Sequence, residues 1–182
     1  MRHTKPDDRD ARGIGGRDIK GGGGATDWRS EPMGHTYTAL HYHIVFGTKD
    51  RVPSITPDIQ TRLYEYIGGI VRGGNGSLVA IGGMPDHIHL LATFHPTTCV
   101  ADMVRKIKAG SSRWVHENLQ GMQDFAWQSG YAAFTVSRSI LGDVEAYILN
   151  QKTHHTKLSS ADEFVAFLRR HDLPYDERYV LG

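Results

Sequence analysis

Between Tyr37 and Val136 the apolar residues switch between a period of two and a period of about 3.6, and the order of those switches leaves few folds open. Leu40, Tyr42, Ile44 and Phe46 alternate along Tyr37–Phe46, the pattern of a strand with one buried face. Thr56-Pro57 then supplies an N-cap and a proline at the first helical position, and Ile59, Leu63, Ile67, Ile70 and Val71 follow at helical spacing. The Gly73-Gly74-Asn75-Gly76 run ends that helix. A short strand is expected over Leu78–Gly82, a turn over Gly83-Met84-Pro85-Asp86, and a second strand over His87–Phe94. Val100–Leu119 reads as a helix with Met103, Val104, Ile107, Trp114 and Val115 on its apolar face, and Tyr131–Val136 returns to strand spacing. Two more helices are expected, one over Leu141–Lys152 and one opened by a Ser160/Glu163 capping box and packing Phe164, Phe167 and Leu168. The order β-α-β-β-α-β predicts a ferredoxin-like (RRM-like) α+β fold, an antiparallel sheet with two helices on one face and C-terminal helices after it. The opposite face of the sheet is expected to be open and able to carry a site.

Residues 1–32 mix Arg, Asp and Gly, include Gly21-Gly22-Gly23-Gly24, and offer almost nothing to bury. Such composition does not repay its ordering entropy, so a disordered Gly/Arg-rich extension is expected, with a DNA-binding arm as the functional alternative. Residues 33–182 are expected to form one domain, and the length suffices for a real core. No apolar run reaches the roughly 20 residues of a membrane-spanning helix, and the N-terminus lacks the apolar stretch of a secretory signal. Cys99 is the only cysteine, which fits a reducing compartment. These features point to a cytoplasmic protein with no membrane partner. The net charge of +1 does not announce a nucleic-acid binder, so a DNA ligand would need a local basic patch.

Three stretches carry chemistry. In Asp86-His87-Ile88-His89-Leu90-Leu91, strand alternation puts both imidazoles on one face and Ile88 and Leu90 on the other, where two rings can converge on one cation. His41-Tyr42-His43 has the same spacing, and alternation alone does not choose between the pairs. In Tyr147-Ile148-Leu149-Asn150-Gln151, Tyr147 and Gln151 lie four residues apart and share a helical face. A phenol with a pKa of about 10 is a poor nucleophile at neutral pH. A divalent cation that neutralises phosphate oxygens would help it attack phosphorus, and the Gln151 amide oxygen is a suitable neutral ligand. Each pattern alone also fits ordinary surface or packing residues.

The ordered set is more specific than its members. Met84-Pro85-Asp86-His87-Ile88-His89-Leu90-Leu91, Trp127-Gln128 with Gly130-Tyr131-Ala132-Ala133-Phe134, Tyr147-Ile148-Leu149-Asn150-Gln151 leading to His154-His155, and Tyr175-Asp176-Glu177-Arg178-Tyr179 together resemble the single-tyrosine transposases of the HUH class, including those associated with repetitive extragenic palindromes. That resemblance, which runs from Tyr37 to Tyr179, implies that His87, His89 and Gln151 hold Mg²⁺ or Mn²⁺. It implies that Tyr147 attacks single-stranded or hairpin DNA to give a 5′-phosphotyrosine and a free 3′-hydroxyl. A homodimer is implied too, in which the tyrosine helix of one subunit can complete the histidine site of the other. Resemblance also prefers His87/His89 over His41/His43.

Lys106, Lys108 and Arg113 on the long helix, with Lys49, Arg51, Arg138 and Lys152 near element ends, are candidates to neutralise DNA phosphates. Tyr42, Trp127 and Tyr131 are candidates to stack on unpaired bases. The rival readings are a catalytically lapsed module that binds single-stranded nucleic acid, a metallohydrolase that activates water, and a small-molecule-binding regulatory fold of the same topology, for which the sequence offers no pocket signature.

Overall fold

Six elements follow one another in the expected order: β1 (His41–Gly47), α1 (Pro57–Gly73), β2 (Ser77–Met84), β3 (His87–Thr93), α2 (Val100–Asn118) and β4 (Ala132–Val136). They are followed by α3 (Leu141–Leu149) and α4 (Ser160–Arg170), with single 3₁₀ turns at Lys49–Arg51 and Arg138–Ile140. The structure, a computed structural model, describes residues 37–151 and 160–176. The chain divides into Met1–Thr36 and Tyr37–Gly182, and the described residues belong to the second unit. The expected extension at residues 1–32 and Lys152 lie outside the described residues.

The strands form one antiparallel sheet in the order β2-β3-β1-β4, which is the ferredoxin-like arrangement. Alternation works as the sequence implies on one face. Ile44 and Phe46 of β1 and Ile88, Leu90 and Ala92 of β3 pack against Ile59, Leu63, Ile67 and Val71 of α1 and Met103, Val104, Ile107 and Val115 of α2. Fully burying a side chain such as Leu63 or Ile107 contributes about 1.5–3 kcal/mol, so this layer carries most of the fold's stability. Among the described residues no helix is long and apolar enough to cross a membrane.

Several local expectations are corrected. The β2–β3 turn is only Pro85-Asp86, because Met84 already pairs with His87 and Gly83 with Ile88. Thr56 stands at the N-cap of α1, but its hydroxyl makes no capping bond; its carbonyl accepts from the Ile59 and Gln60 amides. Helix α3 ends at Leu149 instead of running to Lys152. Asn150 (φ −100°, ψ 20°) leaves helical geometry, and its side-chain amide donates to the Ala146 carbonyl at 2.8 Å.

The larger correction concerns the second face of the sheet, which is not open. Leu141 and Ile148 of α3 pack on Ala80, Leu91 and Val136, and Leu168 of α4 packs on Ala132 and Phe134. These sheet residues are apolar, so the face needs a cover of its own.

Candidate active site

His87 and His89 lie on this covered face of β3, and both are almost wholly buried, at 1% exposure. The register explains which neighbours they meet. Val45 of β1 and Gly82 of β2 stand opposite His89, while Gly47 and Met84 stand opposite His87. His43, opposite Leu91, is therefore the diagonal neighbour of His89 on the same face. His41 lies opposite Thr93, at the other end of β3 from His87. The two imidazoles of the His-x-His pair approach with centroids 5.1 Å apart.

Each ring is oriented through its Nδ1. His87 Nδ1 donates to Asp86 Oδ1 at 2.8 Å, and the other Asp86 oxygen faces Arg51 Nη1 at 3.7 Å. His89 Nδ1 and His43 Nε2 share a hydrogen bond of 2.9 Å. Burial, with the nearby His171 adding to it, pulls the His43 imidazole down to about 4, so this ring is uncharged at neutral pH. Sequence reasoning assigns Asp86 no role of its own and offers His43 only as half of the competing His41/His43 pair. The signals were present: a carboxylate directly before His-x-His at a hairpin, and a second histidine at the right alternation in the neighbouring strand.

Helix α3 brings Tyr147 onto this cluster. Its ring lies 5.7 Å from that of His89, 6.2 Å from His43 and 5.5 Å from Phe167 of α4. Phe167 in turn meets His43 edge-on at 5.2 Å, so α4 covers the histidines with an aromatic ring. Gln151 lies just past the end of α3 and is buried at 1% exposure, with neither its amide oxygen nor its amide nitrogen hydrogen-bonded. A buried primary amide without partners costs on the order of 1–3 kcal/mol, which a bound ligand would offset. Among the described residues, no three His, Cys, Asp or Glu side chains come together as a cation site. The Gln151 amide oxygen is by its chemistry a neutral donor of the kind such a cation accepts.

The basic residues are scattered. Lys106 and Arg113 are exposed on α2, in the helical layer across the sheet from the histidines. Lys49 is exposed and Arg51 half-buried just after β1, at the same end of the sheet as His87. Arg138 is exposed ahead of α3. Lys108 is occupied with the protein itself: Nζ donates to the carbonyls of Gln128, Ser129 (3.1 Å) and Gly130 (3.0 Å), and burial lowers its pKa. Trp127 belongs to the core, its indole N–H donating to Ser111 Oγ at 2.9 Å, and Tyr42 stacks on Phe94 on the opposite face from the histidines. Of the three aromatic candidates only Tyr131 presents an exposed ring, at 38%.

The chain is similar to known proteins in sequence and in fold. The sequence profile described as "Transposase IS200 like" matches residues 36–151. The ISDra2 transposase TnpA of Deinococcus radiodurans is 26% identical over 125 residues, covering 65% of this chain and 87% of that protein. A crystal structure described as a transposase of Deinococcus radiodurans R1 superposes with a TM-score of 0.54 at 26% identity, covering 66% of this chain and 98% of the other. A REP-associated tyrosine transposase solved with a REP hairpin gives a TM-score of 0.53 at 15% identity, over 71% and 76% of the two chains; at that identity the likeness is one of fold. Because the profile match spans well over half of the sequence and takes in β1, the β2–β3 hairpin and the stretch from Tyr147 to Gln151, the chain belongs to the IS200-like family of transposases, enzymes that process DNA in transposition.

Proposed function

We propose that the protein cuts and rejoins single-stranded or hairpin DNA, with Tyr147 as nucleophile and His87, His89 and Gln151 holding Mg²⁺ or Mn²⁺. The observation that carries this reading is the packing of the Tyr147 ring 5.7 Å from His89. The buried, unpartnered Gln151 amide just beyond it supports the ligand set. A bound divalent cation supplies neutralisation of the non-bridging phosphate oxygens.

The chain's own residues do the rest. Asp86 fixes the ring orientation of His87 through Nδ1, so Nε2 of that ring is the nitrogen for the cation. Tyr147 Oη attacks phosphorus. The bond to the 3′-oxygen breaks, the phenol gives up its proton, and the leaving 3′-oxygen takes one up. The product is a 5′-phosphotyrosine and a free 3′-hydroxyl. Attack by a 3′-hydroxyl on that linkage reverses the step and frees the tyrosine, so rejoining needs no nucleotide cofactor. The hairpin in the solved REP-associated relative supports DNA hairpins as the substrate class.

The protein would be incubated with 5′- and 3′-labelled hairpin-bearing single strands from the flanks of its own gene, with Mn²⁺ or EDTA, and run on a denaturing protein gel. The expected result is a metal-dependent adduct carrying label from the 3′ side of the break, absent in Tyr147→Phe. Cleavage that survives Tyr147→Phe would instead identify water as the nucleophile.

A further inference from the structure

His43 has no part in the chemistry proposed above, yet it is buried at 3% exposure against the ring of His89. Its Nε2 lies 2.9 Å from His89 Nδ1, and the two rings are inclined by only 26°. Phe134, Phe167 and Tyr147 wall the ring on its other sides, so the contact with His89 is a directed one.

One proton lies between these two nitrogens, and its owner decides what His89 can do. If His43 Nε2 carries it, His89 Nδ1 accepts, and a neutral His89 then bears its own proton on Nε2 and has no lone pair for a cation. If His89 Nδ1 carries it, His43 Nε2 accepts, and His89 Nε2 has its lone pair. We propose that His43 is a positioning residue that accepts the Nδ1–H of His89 and so holds that ring in the orientation and tautomer a divalent cation requires. The inference rests on His89 being a metal ligand. Asp86 stands in the same relation to His87, so each histidine of the pair has a separate partner supplied by the fold. A buried imidazole as the partner is unusual beside the more frequent carboxylate or carbonyl.

The test is the affinity for Mn²⁺ alone, measured calorimetrically on the full chain and its variants His43→Leu, His43→Gln, His43→Asn and His89→Ala. His43→Leu removes the acceptor and should weaken Mn²⁺ binding about 10–100-fold. His43→Gln carries an amide oxygen at the reach of Nε2 and should stay within a few-fold of the parent. His43→Asn is polar but too short, and it should behave like Leu, which covers the case that the Leu variant does not fold. In cleavage assays the same changes should raise the Mn²⁺ concentration for half-maximal rate and leave the rate at saturation nearly unchanged. If Asn and Leu bind Mn²⁺ as tightly as the parent while His89→Ala does not, His43 only fills space and the inference is overturned. If the parent binds no Mn²⁺ that His89→Ala loses, the metal site itself is wrong and the inference falls with it.

Discussion

At Gly82 the strand β2 passes directly under α3. A Cβ there would stand 2.1 Å from the Ile148 carbonyl oxygen, a backbone atom that no rotamer change can move. Gly82 is also the register partner of His89, and Ile148 is the residue after Tyr147, so this one missing side chain sets how closely the tyrosine approaches the histidines. Gly82→Ala must lift α3 off the sheet. We expect a loss of about 1–3 kcal/mol in chemical denaturation, the usual range for overpacking. The fall in Tyr147 adduct formation should be larger than that destabilisation explains at a temperature where the variant is fully folded. Wild-type adduct levels in Gly82→Ala would mean that the distance between α3 and the sheet does not limit the reaction.

At the scale of elements, Lys108 shows how a charge read from sequence can serve the fold. Its ammonium gathers three consecutive carbonyls of the loop before β4, while Gln128 of that loop accepts from the Gly47 amide at the end of β1. Lys108→Met keeps the apolar stem and leaves those carbonyls without their donor; a cost of about 1–3 kcal/mol is expected, read as a lowered Tm. The strands and the first two helices were legible because their core-facing apolar residues recur with the correct period. The cover on the second sheet face was missed, although Leu91, Phe134 and Val136 stand on it and are apolar. Period-two alternation distinguishes the faces of a strand but not an open face from a covered one. The break at Asn150 was missed because Tyr147-x-x-x-Gln151 reads equally well as one continuous helix. The His-x-His pair and the tyrosine were legible through resemblance. His43 and Asp86 are visible in the sequence as residue types in the right places, and strand register and the turn contact show what they touch.

At the scale of the whole molecule, the expected homodimer admits two arrangements, with α3 serving its own sheet or its partner's. Within one chain α3 already lies on its own sheet, with Ile148 over Gly82 and Tyr147 against His89. This favours a tyrosine that serves its own histidine pair. Mixing Tyr147→Phe with a His87→Ala/His89→Ala double variant under conditions that allow subunit exchange should therefore give no adduct above either variant alone. Restoration of adduct to a sizeable fraction of the parent level would mean that the helix works on the partner's sheet.

The donor set of two imidazoles and an amide has a thermodynamic consequence. On the proposed reading its three members carry no formal negative charge, and all three are buried. A dication held there alone would have the Asp86 carboxylate behind His87 as its nearby counter-charge, which leaves positive charge in a poorly hydrated place, where isolated charge is costly. The anion best placed to balance it is the substrate's own phosphodiester. Cation and DNA would then each raise the affinity for the other by the same factor. The protein without DNA would still bind the cation measurably, only less tightly than its DNA complex does, and the complete charge set would assemble around a strand ready to be cut.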